Sequence, residues 1–264
     1  MRSSHLAVLT VAVTLGLVVN LAPPVQAQLS TNSLGSQLPL QWEPPRTPGD
    51  SAPVNRESGG IRGPDQQGSL PCIQGEQSLT ALVPASGKGT TTAEYPTVFW
   101  YMPATTASAV EFVLKDASDR QIYSVTKNLV GSGQGTSTPG IMSLTLPPLA
   151  NVSPLKTGQT YYWDVSLICD GRDRSADIWV RAEIERILPD STLASGLEQA
   201  TPKQRLALYA QHGDWYETLK TLIELRRDLP SDLEVKEAWE KLLRSADLKP
   251  MAQSLEGQSI SQLN

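Results

Sequence analysis

The chain has 264 residues, 39% of them hydrophobic and 19% charged, and a formal net charge of −5. That mildly acidic balance leaves no electrostatic footprint for nucleic acid. With two histidines and two cysteines in all, a zinc site of clustered Cys and His cannot be assembled.

Residues 1–27 read MRSSHLAVLTVAVTLGLVVNLAPPVQA. A basic start at Arg2, an apolar run over 6–21 and the small-x-small end Val25-Gln26-Ala27 have the layout of a secretory signal peptide cleaved after Ala27. The alternative is an uncleaved anchor, but the run is short for a span and Pro23 and Pro24 close it. No later segment is long and apolar enough to cross a bilayer, so the protein is expected in the periplasm, at the cell surface or outside. Residues 28–69 are rich in Pro, Gly, Ser, Gln and Asn, with Trp42 as the one aromatic. They bury too little apolar surface to offset ordering entropy and are expected to form a flexible linker.

Over 70–188 short β-rich runs alternate with turn chemistry. The predicted strands are 79–83, 97–102, 110–114, 121–126, 141–146, 160–169 and 176–187, separated by PASGKG, DASDR, GSGQGTSTPG and DGRDRS. Seven short strands predict an antiparallel β-sandwich. Within 160–169, Tyr161, Trp163, Val165 and Leu167 alternate onto one face. Leu155, Gly158 and Tyr161 at the start of that strand resemble the tyrosine corner of immunoglobulin-like and fibronectin type III-like domains, with Tyr161 as the corner residue. The next strand sets Ile178, Val180, Ala182 and Ile184 on a dry face against a mostly wet Trp179, Arg181, Glu183 and Glu185. Cys72 and Cys169 are an even pair in the exported part, which argues for a disulfide; two free buried thiols are the alternative.

From Asp190 the apolar period becomes helical. Capping boxes at Thr201–Gln204, Asp214–Glu217 and Ser231–Glu234 start three helices over 189–248, and the tail 249–264 is expected to fray. The segment RLALYAQHGDWYETLKTLIELRRDLPSD resembles one tetratricopeptide unit through Tyr209, Gly213, Trp215, Leu222 and Pro230, and departs from it at Thr218 and Leu225. A lone unit implies a helical cap and not a peptide groove of stacked repeats. The fold class is therefore α+β: a sandwich followed by a small tetratricopeptide-like helical bundle.

The segments LTALVP, EYPTVFWYMP, VEFVLKD, PGIMSLTLP and YYWDVSLICDGRDRSADIWV, with the helical stretch, resemble a cyanobacterial family of secreted proteins, domain of unknown function 928, over about 72–243. That resemblance implies an envelope location and brings no chemistry with it.

After leader removal His212 is the one histidine, in a predicted turn, and no nucleophile elbow accompanies it. The acids Glu111, Asp164, Asp170 and Asp173 show no paired spacing for a carboxylate hydrolase. Asp170, Asp173 and Asp177 could offer oxygens to calcium, but Arg172 and Arg174 sit among them and the EF-hand spacing is missing. GSGQGTSTPG lacks the lysine-serine ending of a phosphate loop. Phe99, Trp100 and Tyr101 are consecutive, so at least one points outward from its strand, and the preferred reading is that the helical domain covers that face. Where the face is open, Trp100, Tyr101, Tyr162 and Trp179 are the candidate contact residues for a glycan or a protein. No catalytic residue, metal ligand or cofactor is assigned. The sequence reads as a non-enzymatic protein-interaction module of the cell envelope with a secreted or envelope protein as partner. The alternatives are a module binding peptidoglycan or exopolysaccharide, and a carboxylate-dependent hydrolase.

Overall fold

The computed structural model describes residues 37, 54–58, 72–129, 139–148, 152–249, 251 and 260–263. The leader expected over 1–27, Trp42 and most of the linker lie outside them. No helix among the described residues is long and apolar enough to cross a membrane.

In chain order the strands are β1 (Thr80–Ala81), β2 (Lys88–Thr91), β3 (Thr97–Met102), β4 (Ala109–Asp116), β5 (Gln121–Asn128), β6 (Gly140–Thr145), β7 (Thr160–Ile168), β8 (Ile178–Arg186) and β9 (Ile260–Gln262). The helices are α1 (Ser191–Leu197), α2 (Pro202–His212), α3 (Trp215–Asp228) and α4 (Leu233–Ser245). The strands form a four-stranded sheet, β1-β3-β6-β9, and a five-stranded sheet, β2-β8-β7-β4-β5. Buried side chains of both sheets and of α2, α3 and α4 merge into one apolar core. The protein is thus α+β.

Uniform antiparallel order does not hold. β2 pairs parallel to β8, and β9 pairs parallel to β6. Both strands come from stretches read otherwise. β2 begins inside the PASGKG turn, and its sequence KGTT carries no apolar alternation to announce it. β9 lies in the tail that was expected to fray; backbone pairing with Ile141–Ser143 holds it, and Leu263 beside it is buried.

The linker is also pinned at one place. Asn55 bridges to Arg181 on β8, and Glu57 bridges to Thr80 on β1, so residues 54–58 lace the two sheets along one side. Between them the Arg56 guanidinium donates to the carbonyls of Ala246 (2.8 Å) and Asp247 (3.3 Å) at the end of α4. A cation there satisfies carbonyls that the helix leaves unpaired.

On β7 and β8 the alternation puts Tyr161, Trp163, Val165, Leu167, Val180, Ala182 and Ile184 in the core. The opposite face is drier than expected. Tyr162, Asp164, Glu183 and Glu185 are buried as well, because β7 and β8 lie inside the sheet and long neighbours cover them. Lys115 and Arg181 close over Asp164 at 2.9 and 2.6 Å. Lys88 lies 3.2 Å from Glu183.

Over 189–248 four helices stand where three were expected; α1 is a short extra one, capped by Asp190 accepting from the Leu193 amide at 2.7 Å. The capping box at Thr201 and Gln204 is present in both directions. The box at Ser231 moves by one: Asp232 caps α4 through the Val235 amide at 3.1 Å. The box at Asp214 and Glu217 does not form, since Asp214 makes no side-chain cap bond to α3 and Glu217 turns toward the sheet.

Several polar ties fasten α3 to the sheets, three of them through its aromatic start. Trp215 Nε1 donates to the Leu82 carbonyl (2.8 Å), Trp163 Nε1 donates to the Tyr216 hydroxyl (2.8 Å), and that hydroxyl donates to the Glu183 carbonyl (3.0 Å). β2 passes so near that a Cβ at Gly89 would stand 2.8 Å from the Tyr216 ring and 3.1 Å from the Trp215 ring. Both rings are held by these bonds and cannot give way. Gly89→Ala is therefore expected to cost about 1–3 kcal/mol by overpacking. Urea unfolding checks this, and an unchanged midpoint would contradict the close approach.

Candidate functional site

Trp100, Tyr101 and Tyr162 are 0%, 3% and 4% exposed, so they offer no surface to a ligand. All three of Phe99, Trp100 and Tyr101 point into protein: β3 is an inner strand of its sheet, and α3 packs on it, so outward-facing positions are covered too. Trp179 alone of the four candidates is accessible, at 46%. The Tyr161 hydroxyl accepts from the Lys156 amide at 2.9 Å and sits 3.3 Å from the Gln159 side-chain oxygen. Cys72 and Cys169 form a disulfide.

The three aspartates of the β7–β8 turn do not converge. Asp170 accepts from the Arg172 amide, Asp173 caps the short 3-10 turn Arg174–Ala176, and Asp177 pairs with Arg174, which also reaches Glu111 at 2.7 Å. No group of three metal-binding side chains is assembled among the described residues. The calcium possibility thus loses its ligand set: each acid is engaged in holding the turn. Asp164, the other acid singled out, is locked between Lys115 and Arg181.

A cleft of about 600 Å³ lies elsewhere, between the β2–β3 connection and the α2–α3 hairpin. Tyr95 and Pro96 form one wall, Tyr209 comes from α2, Glu217, Thr221, Glu224 and Leu225 come from α3, and Leu229 caps its end. Positions 217, 221, 224 and 228 recur at steps of four, three and four, which aligns them on one face of α3. Near its floor, Glu217 accepts from the Thr91 hydroxyl (2.5 Å) and from the Thr92 amide (3.3 Å). Its carboxylate lies deep among protein atoms while the side chain keeps an opening to the cleft. Desolvation raises its pKa to about 7, against the pull of those two donors, and the like charge of Asp214 adds to the rise.

At the head of α3, Asp214 is fully buried, and burial pushes its carboxyl up. His212 Nδ1 stands 3.1 Å from Asp214 Oδ2, near enough to offset part of that push. Desolvated acids in a cleft are common at functional sites. In the sequence Glu217 stands out only as a place in an expected capping box, because the residues that bury and bind it, Thr91 and Thr92, are about 126 positions away in the chain. The run of small residues Gly89-Thr90-Thr91-Thr92, which lets a helix approach closely, was the available signal.

A family profile described as Domain of Unknown Function (DUF928) matches residues 57–255, three quarters of the chain. The chain belongs to this family. The DUF928 match begins inside the 54–58 lacing segment and runs past α4, so it takes in both sheets' long strands, the cleft and Glu217. No curated protein matches the chain. Among solved structures, Bacteroides uniformis beta-glucuronidase 2 covalently bound to cyclophellitol-6-carboxylate aziridine is similar at 8% identity and a TM-score of 0.24. That likeness covers 70% of this chain and 32% of the other, so the DUF928 chain spans about a third of its length.

Proposed function

We propose that the protein is an exported, non-enzymatic interaction module of the cell envelope whose cleft receives an extended peptide segment of a secreted or envelope partner. The cleft carries this reading: it is of ligand size, it joins apolar walls to a few polar groups, and helix and sheet both build it. The disulfide supports an oxidising compartment. In finer terms we read the two sheets as an immunoglobulin- or fibronectin III-like sandwich, which the bond from the Lys156 amide to Tyr161 five residues on supports. The α2–α3 hairpin is read as a single degenerate tetratricopeptide-like unit that presents its face to the sandwich instead of to a second repeat.

The test is selection from a displayed library of short random peptides on the full chain, with a Thr221→Trp variant that plugs the cleft as counter-selection. Peptides that bind the parent and not the plugged variant are expected. Equal recovery on both would overturn the reading.

One observation favours the hydrolase alternative: a carboxyl that titrates near neutrality in a cleft suits a general acid. Both Glu217 oxygens are engaged by the sheet, however, and no second acid is held opposite it among the described contacts. Release of reducing sugar or amine from peptidoglycan by the parent, lost in Glu217→Gln, would favour the enzyme. The glycan-binding alternative keeps only Trp179 of its four aromatics at the surface.

A further inference from the structure

The charged groups of the cleft sort by depth. Glu217 and Glu224 are half-buried on the inner face of α3, whereas Arg205, Lys220 and Asp228 are exposed at the rim. Exposed charges are screened by water and salt; a charge held in a low-dielectric floor acts far more strongly on what enters. The floor is therefore acidic in effect, although bases and acids line the rim together. Asp228 is further spent on Arg227, 2.9 Å away.

Glu217 makes no ion pair among the described residues, and the cleft's cations, Arg205 and Lys220, stand out at the rim. Its two hydrogen-bond donors, the Thr91 hydroxyl and the Thr92 amide, are neutral, and the strongest outside charge on it is that of Asp214, of its own sign. An acid buried in this way is costly unless paired. Without a partner the carboxyl stays protonated up to about pH 7, and a cation entering through the opening would pair its ionised form. Tyr95 and Tyr209 on the walls supply ring surface that suits the methylene stem of a long cationic side chain as well as its charged head.

We infer that the cleft seats a lysine or arginine side chain of the bound peptide, with its charged head against Glu217 and its stem between Tyr95 and Tyr209. This rests on the reading of the cleft as a peptide site and names the anchor that site selects. A neutral side chain of equal length fills the same space but leaves the carboxyl unpaired, so the charge and not the shape decides the preference. Arg205 and Lys220 at the rim then favour peptides in which an acid neighbours the anchor.

The test compares two blocked tetrapeptides, Ala-Lys-Ala-Ala and Ala-norleucine-Ala-Ala, titrated into the full chain and followed by amide chemical shifts. The lysine peptide is expected to bind at least about tenfold more tightly, the loss for a removed charge in a desolvated pair. Glu217→Gln, which keeps the shape, is expected to abolish that difference, and Thr221→Trp to abolish both titrations. The comparison on the unaltered protein needs no variant to fold. Equal binding of the two peptides, blocked by Thr221→Trp, would overturn the cationic anchor and leave the peptide cleft standing. Absence of binding by either would overturn both.

Discussion

Reduction of the Cys72–Cys169 disulfide is expected to lower the unfolding free energy by about 3–5 kcal/mol, the largest single loss the fold should show. The two cysteines are 97 residues apart. A cross-link across a loop of that length removes more freedom from the unfolded chain than a short one; the chain-entropy account gives about 4–5 kcal/mol for roughly 100 residues. The link also fixes a join that little else holds. Cys72 precedes β1, where among the described residues the Ile73–Thr105 bridge (Gln74 amide to Ala104 carbonyl 2.8 Å, Thr106 amide to Cys72 carbonyl 2.9 Å) and the Thr105 hydroxyl on the Cys72 carbonyl (2.6 Å) tie the segment down. Cys169 follows the last residue of β7. Losing the bond frees both ends at once. Urea titrations with and without reductant, and with Cys72→Ala paired with Cys169→Ala, measure the effect. The slope should steepen on reduction, because the unlinked chain exposes more surface when it unfolds. A loss under about 1 kcal/mol would mean the neighbouring hydrogen bonds hold the join alone.

Glu217→Gln is expected to stabilise the protein at alkaline pH by up to about 3 kcal/mol and to change little at pH 4. In the unfolded chain Glu217 ionises near its ordinary 4.5; in the folded protein it holds its proton to about 7. Below 4.5 both states are protonated and the group favours folding as much as it can. As pH rises from 4.5 to 7 the unfolded chain releases a proton that the folded protein retains, and stability drains away. Above 7 the drain is complete, at about 1.4 kcal/mol per pH unit of separation as an upper bound, since the side chain keeps an opening to water. Glutamine cannot ionise, so the variant lacks this slope. Asp214 bends the profile the same way, because burial raises it too. Asp116, Asp173, Asp228 and Asp232 bend it the opposite way, because hydrogen bonds hold them low. The difference between parent and variant separates Glu217 from the four aspartates held low, and it carries with it the coupling to Asp214. Denaturation midpoints at pH 4, 6 and 8.5 suffice: parallel profiles for the two proteins would show that Glu217 is not desolvated.

What was legible in the sequence was what local pattern determines. The alternation of Tyr161, Trp163, Val165 and Leu167 marked β7 because each step crosses the sheet, and Cys72 and Cys169 announced their bond by being the only pair. Thr201, Pro202 and Gln204 marked the start of α2 because a capping box is made within four residues. What failed depends on partners far along the chain. β2 is a strand because β8 lies beside it, β9 because β6 does, and neither KGTT nor ISQ shows a strand period of its own. For Phe99, Trp100 and Tyr101 the preferred expectation, that the helices cover the outward face, agrees with their burial, whereas strand alternation alone would have left one of them exposed. Glu217 was hidden most completely. Its local context offers a helix cap, and the strand that claims it instead is drawn in by Gly89, whose bare backbone fits against Tyr216 and Trp215.

The central claim is that the cleft between the β2–β3 connection and the α2–α3 hairpin is where this protein meets its partner. Amide chemical-shift mapping of the labelled full chain with a library-selected peptide tests it most directly. Shifts concentrated at Thr92–Thr97, Arg205–Tyr209 and Glu217–Leu229, and absent from Thr221→Trp, are the predicted result. Shifts centred on Trp179 or along β5, with the cleft undisturbed, would contradict it.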